Sequence, residues 1–282
     1  MKTNLSYLTR VLKLIFLTLT LIIIIFPILY IILASFKSNE EILVSGASLF
    51  PKKFLLSNYT EAWRLANFKM FTFNSIYMTF FIVIGNIITS TILAYVFSRG
   101  KFVGKKLIFA LMISTMFVAL GSSALYPQLQ MAKMIGIPRS LLGVIIIRVF
   151  GISVTNIFIG MGYLESIPIE IDEAAKIDGC GFIRIYWSII FPLLKPLIAT
   201  IGLLTFRAAW NDYMLPMVFT LTKPLQQPLI VGVVNLRNTG EAASSYNLMI
   251  AGAAIAIIPM LIVYLFLNRY FISGLTTGAV KG

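Results

Sequence analysis

Six stretches of about twenty predominantly apolar residues, 14–34, 71–97, 107–125, 141–162, 197–219 and 248–267, take up nearly half of this chain, and that is the length a helix needs to cross a bilayer. No soluble core needs so many runs of that length. In hydrocarbon every backbone N–H and C=O must be bonded within the protein, which leaves helices or a closed barrel. A barrel requires alternating segments of about ten residues, and these runs do not alternate. The fold class expected is therefore all-α integral membrane, with six transmembrane helices. The fifth run is interrupted by Arg207, Asn211, Asp212 and Pro216.

Basic residues number 23 against 10 acidic ones. Their placement explains the surplus by membrane topology rather than by nucleic acid: Arg99, Lys101, Lys105 and Lys106 crowd the short link after the second run, which puts that link in the cytoplasm. Both termini then face the cytoplasm, and the protein is expected in the plasma membrane as a multi-pass chain. The expected organisation is a cytoplasmic stretch 1–13, a permease-like membrane domain 14–271 and a cytoplasmic tail 272–282. The first run exceeds the apolar core of a cleaved signal and is expected to stay as the first span.

The residue inventory excludes several chemistries. The chain contains one cysteine, Cys180, and no histidine, so an internal disulfide, imidazole metal sites and His-dependent nucleophilic catalysis are ruled out. Gly100-Lys101 is followed by Phe102 and lacks the upstream glycine of a phosphate-cradling loop. No catalytic residue, metal or cofactor is expected in this chain.

Between the fourth and fifth runs lies a polar insert, 164–192. Pro168 suits the entry to a helix, and Glu170, Asp172 and Glu173 follow it, where the positive end of a helix favours acids. Ala174 and Ala175 keep one side slim, Asp178 follows, and Gly179 permits a turn that a β-carbon would resist. A second helical stretch runs from Phe182 to Phe191 with Phe182, Ile185, Tyr186 and Ile189 in a stripe, and Pro192 is expected to end it. The insert thus reads as helix, bend, helix at the cytoplasmic surface, acids outward. An interfacial helix resting on lipid is normally basic on its polar face, whereas this one is acidic, which favours docking to a soluble protein.

Glu173, Ala174, Ala175 and Gly179, then after nine intervening residues Ile189 and Pro192, resemble the E-A-A-x-x-x-G … I-x-L-P loop of the membrane subunits of ATP-binding-cassette importers, with Phe191 in place of Leu. The resemblance covers nearly the whole chain. It is strongest to the smaller membrane subunit of the maltose permease and its oligosaccharide-importing relatives, and Trp210-Asn211-Asp212 and the ending Gly274 to Gly282 support it. It implies a type I importer permease fold. It also implies as partners a second permease subunit, two ATPase subunits that bind ATP and Mg, an extracytoplasmic solute-binding protein and a carbohydrate substrate. By the same resemblance Glu173, Ala174, Ala175, Asp178 and Gly179 would dock on an ATPase, and Gly278, Lys281 and Gly282 would reach between the ATPases. A phosphorylated polyol is the alternative substrate, and a stand-alone secondary carrier the alternative class.

Polar residues within the spans are candidates for the pathway. Arg148 would cost about 2.5 to 3.5 kcal/mol at the centre of a lipid-facing helix, so it should face protein or water. Asp212 and Arg207 could pair with each other or with other subunits. Asn156, Trp210, Asn211 and Asp212 are the candidate substrate-pathway residues, while Asn74 and Asn86 read as polar glue between helices. Gly252 and Ala256 should permit close helix packing. The loop 35–70 should carry a short capped helix from Ser57, and the loop 223–247 should be irregular.

Overall fold

The computed structural model describes residues 2–44, 48–65, 67–118, 121–238 and 245–279, all of them helix, turn or irregular, with no strand among them. Side chains are described from Thr9 to Phe266 within those limits, apart from that of Asn238. In chain order the helices are α1 (Lys2–Ala34), α2 (Asn39–Val44), α3 (Ser57–Leu65), α4 (Phe68–Arg99), α5 (Lys105–Thr115), α6 (Leu125–Met134), α7 (Leu141–Phe150) and α8 (Val154–Glu165). There follow α9 (Glu170–Ile177), α10 (Phe182–Ile185), α11 (Phe191–Leu193), α12 (Lys195–Trp210), α13 (Met214–Phe219), α14 (Leu229–Asn235) and α15 (Tyr246–Ala279).

Three helices, α1, α4 and α15, are each long and apolar enough to cross a membrane alone. Two bent pairs reach that length and apolarity only jointly, α7 with α8, at 42°, and the stretch Phe182–Leu193 with α12, at 81°, so the described helices supply three crossings, or up to five if each pair is one span. The remaining apolar run, 107–125, is shared between α5 and a 3₁₀ turn at Gly121–Ala124 that leads into α6. Gly121 takes φ +54° at that turn, a conformation natural to glycine.

The chain forms two compact units. The first holds residues 1–69 and 232–258. Its centre is Asn58, buried on α3, which donates to the carbonyls of Ser35 (2.9 Å) and Lys37 (2.8 Å) and accepts from Asn247 (3.0 Å). One amide thus closes the α1–α2 turn onto the start of α15, satisfying backbone groups that the turn leaves open. Tyr59 hydrogen-bonds Ser35 at 2.6 Å, and Trp63 stacks on Phe68 with ring centres 5.3 Å apart. Gly252 sits where a β-carbon would come within 3.1 to 3.4 Å of Leu236, Val233 and Phe68, the close packing its position in the apolar run predicts.

The second unit holds residues 70–231 and 259–282. One core cluster gathers Ala94 and Tyr95 of α4, Ile157 and Leu164 of α8, Ala175 of α9, Ile185, Tyr186 and Ile190 of the insert's second half, Leu194 at the bend beyond it, and Leu197 and Ile201 of α12. A second joins Met78 and Ile82 of α4 to Leu141, Val144 and Ile145 of α7 and Leu215 and Phe219 of α13. Asn74 donates to the carbonyls of Leu225 (2.8 Å) and Gln227 (2.9 Å), and Asn86 to that of Arg148 (3.0 Å). Both act as the polar glue the sequence implies.

Two expectations are corrected here. The stretch 223–247 is not simply irregular: Leu229–Asn235 is helical, between 3₁₀ turns at Pro224–Gln226 and Leu236–Asn238, and Leu229, Val231, Val233 and Leu236 are buried. Its apolar run outweighs the prolines that frame it. Pro192 does not end the insert's second helix either. It occupies the first turn of α11, and the bend falls at Leu194, where Pro196 opens α12; proline fits a first turn because its missing N–H has no helical partner there.

Gly160 and Gly162 on α8 give opposed predictions. A β-carbon at Gly160 would lie 2.7 Å from that of Ala94, whereas one at Gly162 would meet nothing within 4 Å. Gly162→Ala is expected to raise the thermal midpoint of the solubilised protein, by up to about 1 kcal/mol of helix propensity. Gly160→Ala is expected to lower it, since overpacking costs about 1 to 3 kcal/mol.

Candidate functional site

The insert is built around one buried carboxylate. Asp172, on the first turn of α9, is 1% exposed. Tyr95 donates to its Oδ1 at 2.7 Å, and Arg99 Nε lies 3.3 Å from its Oδ2. The Arg99 guanidinium also donates to the carbonyls of Leu164 (3.2 Å) and Ile167 (2.5 Å), closing the end of α8. Thr91, one turn before Tyr95, shares a hydrogen bond of 2.8 Å with Tyr186. The final two turns of α4 therefore grip both halves of the insert, α9 through Asp172 and the second half through Tyr186. Arg99 is thus a clamp between α4, α8 and α9. The acids of α9 do not all point outward, as the sequence reading had it: Asp172 turns in because an arginine and a tyrosine wait for it, while Glu170 and Glu173 are exposed.

The bend is a complete glycine cap. Gly179 N–H donates to Lys176 O (3.0 Å) and Cys180 N–H to Ala175 O (2.9 Å), with Gly179 at φ +80°, the paired bonds of a Schellman motif. Of the residues expected to dock, Glu173, Ala174, Asp178 and Gly179 are exposed, while Ala175 is buried in the core cluster. Ala175 holds α9 down rather than offering it outward. Ile169, Ile177 and Ile183 are exposed on the insert, Ile177 at 86%. The outer surface thus mixes acids with uncovered isoleucines. Beyond the cap the helix passes through a π-helical stretch at Tyr186–Ile190, a form frequent at functional sites, before its 81° turn into α12.

A cavity of about 840 Å³ opens at two helix breaks, between α7 and α8 and between α12 and α13. Its lining includes Asn86, Arg148, Ser153, Thr155, Asn156, Thr205, Arg207, Asn211, Asp212 and Tyr213. Ser153 caps α8 by accepting from Asn156 N–H, and the Asn156 amide donates to Thr205 Oγ1 at 3.2 Å, joining α8 to α12. Asp212 pairs with Arg148, whose Nε and Nη2 both lie 2.7 Å from Oδ2, and not with Arg207.

The structure brings Asn156, Asn211 and Asp212 together on this cavity and leaves Trp210 out. Trp210 is buried and stacks on Phe206, ring centres 5.6 Å apart, because residues four apart share a helix face. By the same spacing Arg207 and Asn211 share the cavity face. Ser153, Thr155 and Thr205 escaped sequence reasoning, since isolated hydroxyls in apolar runs carry no signal. Gly278 lies in the last turn of α15; Lys281 and Gly282 lie outside the described residues.

Broken helices around a polar cavity, with a helical elbow clamped to the end of a long span, suit a membrane transport permease. The family of binding-protein-dependent transport system inner membrane components matches residues 3–277, and the chain belongs to it. It is 33% identical over 257 residues to the melibiose/raffinose/stachyose import permease protein MelC of Bacillus subtilis, covering 91% of each chain. To the maltodextrin transport system permease protein MdxG of the same organism it is 31% identical, covering 98% of this chain and 97% of the other. Its fold also matches a chain in the crystal structure of a bacterial ABC transporter involved in the import of the acidic polysaccharide alginate, with TM-score 0.78, 26% identity, and coverage of 94% and 97%. The protein is a multi-pass permease subunit of an ABC importer, not an enzyme.

Removing one member of the Asp172 cluster tests the clamp. Arg99→Ala is expected to destabilise the solubilised protein by about 3 to 5 kcal/mol, leaving a buried charge alone. Tyr95→Phe should cost about 1.5 to 3 kcal/mol, the worth of a hydrogen bond to a charged group. Thermal unfolding of the two variants beside the parent protein measures both.

Proposed function

We propose that this permease moves an oligosaccharide or related carbohydrate into the cell by alternating access, driven through the 164–192 insert. The observation that carries the reading is the insert itself: an exposed surface of Glu173, Ala174, Ile177, Asp178 and Gly179, backed by the Asp172–Arg99–Tyr95 cluster on α4. Exposed isoleucines flanked by acids suit a cleft on a soluble ATPase subunit. A pull on α9 is transmitted to α4 because a buried ion pair resists separation. Packing of the insert against α12 in the same core cluster passes the displacement on to the broken crossings around the cavity.

In this reading the partners are a second permease subunit, two ATPases that bind ATP and Mg, and an extracytoplasmic solute-binding protein. Both termini lie in the cytoplasm with the insert, and the tail, Gly278, Lys281 and Gly282, reaches the ATPases. Carbohydrate as cargo is supported by the names of the relatives, which favour neither a phosphorylated polyol nor a stand-alone carrier. The amide and hydroxyl lining of the cavity suits sugar hydroxyls, which need both donors and acceptors.

Gly179 provides the test. Asparagine tolerates its left-handed backbone better than most residues, so Gly179→Asn keeps the cap while adding bulk to the exposed surface; Gly179→Asp adds charge as well. In proteoliposomes holding the complete transporter, both variants should hydrolyse ATP while carbohydrate uptake falls about tenfold, the equivalent of about 1.4 kcal/mol of lost contact. Undiminished uptake in both variants, at normal protein levels, would remove the insert from the drive mechanism.

A further inference from the structure

The charge on the cavity wall does not balance. Its charged lining residues are Arg148, Arg207 and Asp212. Arg148 and Asp212 neutralise one another through two contacts of 2.7 Å to the same carboxylate oxygen. Arg207 has no ion-pair partner among the described residues, and its side chain is exposed. The remaining lining residues of α7, α8, α12 and α13 carry no carboxylate that could serve it.

An arginine left without a partner in an apolar crossing has to face water, since a lipid-facing position would cost about 2.5 to 3.5 kcal/mol. Here it faces a cavity lined otherwise by neutral donors and acceptors: Asn86, Ser153, Thr155, Asn156, Thr205 and Asn211. Neutral sugar hydroxyls would be served by those groups alone. A guanidinium beside them adds a planar fork of donors matched to a carboxylate. Arg148 cannot play that part, because Asp212 already occupies its fork.

We propose that Arg207 forms a subsite for a carboxylate on the transported carbohydrate, so that the cargo class is an acidic, uronate-bearing oligosaccharide. The inference rests on the carbohydrate reading above and sharpens it. The hydroxyl and amide groups of Ser153, Asn156 and Thr205 would meet the ring hydroxyls, and Arg207 the acid. The cation also gives the cavity a net positive charge, which favours entry of an anion.

The assembled transporter in lipid nanodiscs, without its solute-binding protein, is titrated with trigalacturonate and with its methyl ester, which has the same sugar rings and no charge. The acid should bind about tenfold more tightly than the ester, with the advantage shrinking as salt is raised. Arg207→Gln should erase the difference between acid and ester, and Arg207→Lys should keep part of it. Equal binding of acid and ester by the parent transporter overturns this inference and leaves the carbohydrate reading standing. Binding of neither likewise overturns this inference, since the acid represents the proposed cargo class. Loss of the second permease subunit from the Arg207→Gln complex, restored in Arg207→Lys, would make Arg207 an intersubunit ion-pair residue and also overturn the inference.

Discussion

A carboxylate at 1% exposure cannot stand alone, and the partners that hold Asp172 organise the helices around the 164–192 insert. Tyr95 and Arg99 both come from the end of α4, and Arg99 also closes α8 through two carbonyls. Three helices are thus tied at one point. Low local dielectric makes such a cluster stiff when complete and costly when broken. The coupling role proposed for the insert calls for that stiffness, since a displacement of α9 would be useful only if the spans follow it.

The second theme is the broken helix. The breaks at 151–153 and 211–213 leave helix ends whose backbone groups need partners, and the sequence supplies Ser153 as a cap and Asn211 as a donor to the Arg207 carbonyl at 2.9 Å. Irregular backbone within a crossing is tolerated where it lines protein or a water-filled space. The polar cavity is therefore a consequence of the breaks, and the Arg148–Asp212 pair bridges one break to the other. The insert adds a third break, the 81° turn at Leu194, between the elbow and α12.

Much of this was legible in the residues. The apolar runs announce membrane helices because lipid leaves the backbone no alternative. Glu173-Ala174-Ala175 with Gly179 announces the elbow because glycine takes φ +80° at the least steric cost. The inward turn of Asp172 was not legible: it depends on Tyr95 and Arg99, about seventy residues earlier in the chain. Nor was the exclusion of Trp210, which shares an aromatic stack with Phe206 instead of the cavity. In an apolar span, periodicity says little about which face meets lipid and which meets protein.

By itself the sequence determined that the chain is helical, lies in a membrane and carries an acidic, glycine-capped elbow, because those properties follow from local composition and backbone geometry. Only the tertiary structure decided which charges are spent. Asp172 is consumed by Arg99 and Asp212 by Arg148, and Arg207 is left facing the cavity. Pairing of charges far apart in the chain is a property of how helices pack, and no short-range pattern encodes it.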